Sequence, residues 1–167
     1  MKILVINPGS TSTKIAVYEN ETPLLVRNIK HTVEELSVYP QVIDQFEFRK
    51  NLVLQELEAN GIPFAFDAVI GRGGLVKPIP GGVYAVNEAM KQDTLHAMRT
   101  HACNLGGLIA AELAASLPDC PAFIADPGVV DELEDVAASS AAINPPKLQA
   151  WVRMACKVSC FMASLTA

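Results

Sequence analysis

The feature that most restricts this chain is an apolar run that stops and starts again. In KILVINPGSTSTKIAVY, residues 2 to 18, the apolar residues 3 to 6 give way at Asn7, Pro8 and Gly9 to Ser10, Thr11, Ser12, Thr13 and Lys14, and resume at Ile15. Two β-rich runs so closely spaced pair as a hairpin, and a third run makes a three-strand meander over 2–6, 13–18 and 24–30. A helical stretch follows from Tyr39 to Asn60, where Val42, Ile43, Phe46, Leu52, Val53 and Leu57 recur on one face and Gly61 with Pro63 ends the pattern. DAVIG, 67–71, reads as a short buried strand, and RGGLVKPIPGG, 72–82, as a glycine- and proline-rich loop of the kind that carries function. Asn87 is the expected N-cap of a helix running to Thr100, residues 104–116 form a second, Ala/Leu-rich helix, and PAFIA, 121–125, is a last strand that ends at Asp126-Pro127.

That order, β-β-β-α-β-α-β-α, predicts an α/β domain on a mixed five-stranded sheet, with the strands at 2–6, 67–71 and 121–125 parallel and central. Right-handed crossovers bring their carboxyl ends to one edge, where ligands of open α/β sheets bind. Asn7, Arg72 and Asp126 then meet in one crevice. Composition favours a small-molecule partner: the chain has 167 residues, half of them apolar, a net charge of −5 and no long basic run, so nucleic acid is not an expected partner. No secretory h-region is present near the N-terminus, and Arg153 and Lys157 interrupt the last apolar stretch, so no membrane partner is expected either. Cys103, Cys120, Cys156 and Cys160 lack the spacing of a zinc site or a disulfide framework, which points to reduced thiols and a cytoplasmic location.

The Gly-Ser-Thr-Ser-Thr hairpin offers backbone N–H groups and hydroxyls at close approach, with Lys14 as a point charge, and such loops receive phosphate oxygens. It is not a Walker loop, because the G-x-x-x-x-G-K-[ST] spacing is absent and the segment leads into a strand. An ordinary Ser/Thr-rich turn has the same composition. Arg72, just beyond a central strand, has a planar fork suited to a carboxylate or to phosphoryl oxygens; a surface-loop arginine is the alternative. Asn7 can hydrogen-bond a phosphoryl oxygen or a metal-bound water without adding negative charge. His31 and His96 read as incidental.

The pattern LVINPGSTSTK resembles the first phosphate-binding motif of the acetate and butyrate kinase family, within the larger actin and sugar kinase group. The resemblance continues through AVIGRGGLVKPIPGGVYAVNEAM, HACNLGGLIA and FIADPGVVDEL, on the butyrate rather than the acetate side, and covers residues 1–136. It implies a ribonuclease H-like, actin-like ATPase domain. It also implies phosphoryl transfer between ATP and a short-chain fatty acid such as butyrate, giving an acyl phosphate and ADP, with Mg2+ as the metal. By the same resemblance Arg72, Asp126 and Asn7 are catalytic, Gly9, Ser10, Thr11, Ser12 and Lys14 bind phosphate, and Asn7 meets the metal through water. Gly73, Gly74, Val76, His101 and Asn104, the last two matching an HxxNLG segment, lie toward the substrate. A fatty acid, with a carboxyl pKa of about 4.3, is ionised at neutral pH and needs no general base. Asp126 is therefore expected to orient Arg72 or to hold magnesium through water, with a turn role before Pro127 as the alternative. Val76, Ile79 and Val83 would line an apolar slot for a short alkyl chain or pack in the core.

Beyond Val136 the family pattern is not recognised. The resemblance implies a second, nucleotide-holding domain that this chain lacks, so the expectation is an N-terminal domain over 1–136 and an atypical tail over 137–167 with a helix at 148–165. On that reading the chain alone is inactive. The alternatives are a non-catalytic domain that binds ligand or modulates a kinase, and a functionless fragment of a frameshifted gene. An exposed inter-domain surface would then pair copies into a homo-oligomer.

Overall fold

The computed structural model describes residues 1–77, 79, 82–97 and 100–125. Asp126, the boundary expected at Val136 and the helix expected over 148–165 lie outside the described residues. Three antiparallel strands open the chain: β1 (Lys2–Pro8), β2 (Ser12–Glu19) and β3 (Thr22–Lys30). A short helix α1 (Val33–Ser37), a 3-10 turn (Val42–Gln45) and helix α2 (Phe46–Ala59) lead to β4 (Ala68–Arg72). Strand β5 (Val83–Ala85), helix α3 (Glu88–Leu95), helix α4 (Asn104–Ala115) and strand β6 (Ala122–Ala125) complete the described order.

The sheet order is β3-β2-β1-β4-β6-β5. Strands β1, β4 and β6 are parallel neighbours at its centre, as their uninterrupted apolar sequences require, because both faces of each are buried. A three-strand antiparallel unit continued by crossover strands is the ribonuclease H-like arrangement expected above. Among the described residues the sheet has six strands, not the expected five. The sequence assigns no element to residues 83–85, just past the glycine loop of 72–82, yet as β5 they pair antiparallel with β6. The helix expected from Tyr39 is a 3-10 turn from Val42 followed by α2 from Phe46, since Gln41 and Asp44 bond each other's backbone and turn the chain there. α3 stops at Leu95, five residues short of the expected Thr100, and Asn87 caps it as anticipated, accepting from the Met90 N–H at 2.9 Å. α1 was not foreseen. Thr32 and Glu35 form the capping box that starts it, a T-x-x-E signature legible in HTVEEL.

Alternation along the strands divides the core between two faces. Leu4, Ile6, Ile15, Val17 and Val69 face α2 and α4, packing on Val53, Leu57, Leu105, Ile109 and Leu113. Ile3, Val5, Ala16, Tyr18, Ala68, Ile70, Phe123 and Ala125 form the cluster on the opposite face. Among the described residues, no helix is long and apolar enough to cross a membrane.

Candidate active site

Side-chain parity fixes which polar groups share a face. Asn7 is in step with Ile3 and Val5, Lys14 with Ala16 and Tyr18, and Arg72 with Ala68 and Ile70, so all three belong to the face opposite α2 and α4. Register aligns them as well. Asn7 pairs with Lys14 across β1 and β2, and Ile6 pairs with Gly71 across β1 and β4. Continuing that parallel pairing by one residue sets Asn7 beside Arg72, which in turn pairs with Ala125 of β6. Lys14, Asn7 and Arg72 thus form one row on neighbouring strands about 5 Å apart, at the carboxyl edge of the central strands. Two cations flank a neutral amide. An anion lying over Asn7 lies between them, and Asn7 and Lys14, only 9% and 7% exposed, are held in place by the sheet.

The turn beside this row is closed by its own backbone. Gly9 N–H donates to the Ser12 carbonyl at 2.7 Å, and His31 N–H donates to the Thr11 carbonyl at 2.9 Å. Ser10 and Thr11 are exposed at the tip. From the helix side, His101 Nδ1 accepts from the Cys103 N–H at 3.2 Å, which leaves the proton of the neutral ring on Nε2, 3.3 Å from Ser10 Oγ. The Ser10 hydroxyl therefore accepts from His101 and keeps its own proton to donate. Asn104 Oδ1 accepts from the Leu75 N–H at 3.0 Å and so ties the start of α4 to the glycine loop.

Glycines let these segments meet. A Cβ at Gly71 would lie 2.2 Å from the Gly106 carbonyl group, and one at Gly106 would lie 2.7 Å from the Arg72 oxygen, so β4 and α4 cross backbone to backbone. Beyond Arg72 the chain passes through Gly73 and Gly74 at φ +83° and +119°, where a side chain is strained, and Gly73 N–H donates to the Ala125 carbonyl. The first amides of α4 are not presented to a ligand. Asn104, Leu105 and Gly106 donate to the carbonyls of His101, Ala102 and Cys103, so oxyanion contacts fall to the hairpin. Val76 is buried, and Val83 packs against the cluster around Ile3.

Sequence reasoning passed over the groups beneath the hairpin. Arg49 of α2 is wholly buried; Nη1 donates to the Ser12 carbonyl at 3.0 Å and to Thr13 Oγ1 at 2.9 Å, while Nε and Nη2 donate to Gln45 Oε1 at 3.0 and 2.9 Å. Burial lowers its pKa to about 10. His31, read as incidental, is buried, with Nε2 2.8 Å from Thr13 Oγ1, and desolvation followed by the Arg49 charge lowers its pKa. The signal was present in the spacing: Gln45, Arg49, Val53 and Leu57 recur every fourth residue, and all four are buried. His96 does stand apart, its Nδ1 turned to the Gln92 carbonyl within the last turn of α3.

The groups named at this edge are hydroxyls, amides, a histidine and two cations, a donor set matched to phosphate oxygens. Magnesium wants carboxylates or phosphates as ligands. Among the described residues, no three His, Cys, Asp or Glu side chains are grouped to hold a metal. The described groups therefore do not by themselves fit Mg2+, and the metal enters none of the steps assigned to them.

No family model matches the chain. It is 93% identical over 151 residues to a probable butyrate kinase of Bacteroides thetaiotaomicron, a match that takes in 90% of this chain and 43% of that protein. The chain is a homologue of butyrate kinases. A probable butyrate kinase of Phocaeicola vulgatus is 57% identical over 137 residues, 82% of this chain and 38% of its own length. The chain thus spans about two fifths of the curated relatives it matches. At 151 residues, the Bacteroides match is longer than the stretch over which motifs were recognised. Among solved structures, a propionate kinase from Francisella tularensis subsp. tularensis SCHU S4 aligns with a TM-score of 0.47 at 13% identity, covering 89% of this chain and 42% of that one. An acetate kinase from Entamoeba histolytica aligns with a TM-score of 0.47 at 15% identity, covering 89% and 40%.

Proposed function

We propose that the edge formed by Lys14, Asn7, Arg72 and the Ser10–Ser12 turn is the phosphoryl-handling wall of a butyrate kinase-type site. There a short-chain carboxylate and ATP exchange a phosphoryl group. A carboxylate oxygen forms the new bond to the γ-phosphorus, the bond from that phosphorus to the bridging oxygen breaks, and ADP leaves with the electron pair. No proton moves. The difficulty is bringing one anion to another, so positioning and charge neutralisation carry the catalysis. Arg72 meets the carboxylate or the equatorial phosphoryl oxygens through its fork, Lys14 supplies the second charge, and Asn7 donates between them without adding negative charge. The Ser10 and Thr11 amides and the Ser10 hydroxyl complete the oxygen contacts, the Gly9 amide being held by the Ser12 carbonyl. ATP is the expected donor, bound with Mg2+, and Asp126 keeps its proposed role of orienting Arg72 or holding a metal-bound water.

The row of Lys14, Asn7 and Arg72 on three adjacent strands is the observation that carries this reading. Residues 1 to 125 of this chain, seated at the matching positions of the Bacteroides relative, test it. Acyl phosphate made from butyrate, ATP and magnesium is trapped as the hydroxamate. The expected result is turnover that Lys14→Met and Arg72→Lys each depress. An active chimera indifferent to both substitutions would overturn the assignment.

A further inference from the structure

We infer that Arg49 and Gln45 are positioning residues that set the PGSTSTK turn for phosphoryl oxygens. The inference rests on the proposed phosphoryl-transfer reading of that turn.

The guanidinium makes its contacts on the side of the hairpin away from the Lys14, Asn7 and Arg72 row. Thr13, in step with Ile15 and Val17, faces the helices and receives Arg49 on its hydroxyl. The Ser12 carbonyl accepts from both Arg49 and the Gly9 N–H, so a single oxygen closes the turn and fastens it to α2. Nη2 reaches the Ser10 carbonyl at 3.5 Å. A trans peptide points its C=O and N–H in opposite directions, so drawing the Ser10 carbonyl toward α2 aims the Thr11 N–H away from it, toward the open side. Lysine has three donors on a single nitrogen at the end of a flexible stem, and it lacks the fixed spread of Nε, Nη1 and Nη2 that meets Gln45, Thr13 and Ser12 here.

Charge supplies a second, independent argument. Among the described residues, Arg49 has no carboxylate within ion-pair distance; its partners are carbonyls, a hydroxyl and a neutral amide. A wholly buried cation is costly when nothing offsets it, and a salt bridge to α2 would serve a purely structural role better. An anion received on the turn supplies the missing charge. The cation thus favours the liganded turn over the empty one.

Inorganic phosphate is the probe, titrated into the isotope-labelled chain while the amide signals of Gly9 to Thr11 are followed. Amide exchange is read at Gly9 and His31, whose N–H groups close the turn, and at Val69 and Ile70 in β4. In Arg49→Lys we expect exchange at Gly9 and His31 to quicken at least tenfold while β4 keeps its rates, and the phosphate midpoint to rise at least fivefold. Gln45→Leu, which leaves Arg49 in place without its amide acceptor, should do the same to a smaller extent and is decisive if Arg49→Lys does not fold. Equal quickening in β4 would reduce Arg49 to a core residue and overturn the inference, as would turn exchange and a phosphate midpoint that do not change. Failure of the parent chain to respond to phosphate would instead overturn the reading of the turn, and the inference with it.

Discussion

Phosphoryl transfer to a carboxylate requires one anion to approach another, so a side chain that meets two oxygens together differs from one that only carries charge. For that reason Arg72→Lys in the chimera should lower turnover at least about tenfold at saturating ATP and magnesium. Asn7→Asp should do less harm but still matter, because a carboxylate between Lys14 and Arg72 would take the place the substrate anion needs. Ser12→Ala should be mildest, since neighbouring hydroxyls and amides share the contacts. Loss of activity in Ser12→Ala with Arg72→Lys unaffected would reverse this division of labour. His31 gives a prediction about pH. Burial first, then Arg49, lower its pKa below 6.5, while Glu35 opposes them weakly. Between the lowered folded value and 6.5 the unfolded chain binds more protons, so stability rises with pH in that window and is lost as pH falls through it. Thr13 fits this picture: accepting from Arg49, it has its proton to donate to Nε2 of a neutral ring. Urea midpoints at pH 7.5 and 5.5 should therefore fall further for the parent than for His31→Gln. Equal falls would remove His31 from the titration.

Among the elements, the crossing of β4 and α4 decides where Arg72, His101 and Asn104 stand. Gly106→Ala gains about 1 kcal/mol of helix propensity but puts a methyl 2.7 Å from the Arg72 carbonyl oxygen, backbone that cannot swing aside. Overpacking costs about 1 to 3 kcal/mol and more where backbone must move, so a net loss of at least about 1 kcal/mol and a lower Tm are expected. Gly107→Ala meets only the ends of Ile124 and Val86 at 3.6 and 3.9 Å, so its Tm should hold or rise. Identical behaviour of the two variants in thermal melts would mean that the crossing is looser than described. The same contrast shows what the sequence could reveal. The long strands were legible because alternation and apolar runs continue over several residues, and Asn87 because capping is local chemistry. β5 was not, since three residues after a Gly/Pro loop, two half-buried and one exposed, carry no period of their own. Arg49 escaped because a charged residue on a helix reads as solvated; only the four-residue spacing with Val53 and Leu57 marks it as inward. The glycines of GRGG and NLGG were visible, but that Gly71 faces Gly106 is a fact of tertiary approach.

At the scale of the whole molecule, the candidate site belongs to no single motif. Its groups come from residues 7 to 14, 72 to 75 and 101 to 104, and the parallel order of β1, β4 and β6 is what brings them to one edge. On the proposed reading, substrate choice would come from the apolar surface next to that edge rather than from the charged row, which would treat every carboxylate alike. Of the residues read as lining an alkyl slot, Val76 is buried and Val83 packs against the Ile3 cluster, while Ile79 is half-buried. Val83 is half-buried too, but Ile79 belongs to neither core cluster and is the one of the three that core packing does not claim for itself. A methylene is worth about 1 to 3 kcal/mol in an apolar pocket, so the two that separate butyrate from acetate allow at least about a tenfold difference in kcat/KM. We expect the chimera to prefer butyrate, or a branched four- to five-carbon acid, over acetate by that margin when the acids compete in one assay. Ile79→Ser should narrow the preference by lowering kcat/KM for butyrate and leaving that for acetate nearly unchanged, because acetate has no chain to reach it. A parent chimera that favoured acetate would move the site to the acetate side of the family. An Ile79→Ser variant that lost both substrates equally would show that Ile79 supports the loop rather than the chain of the acid.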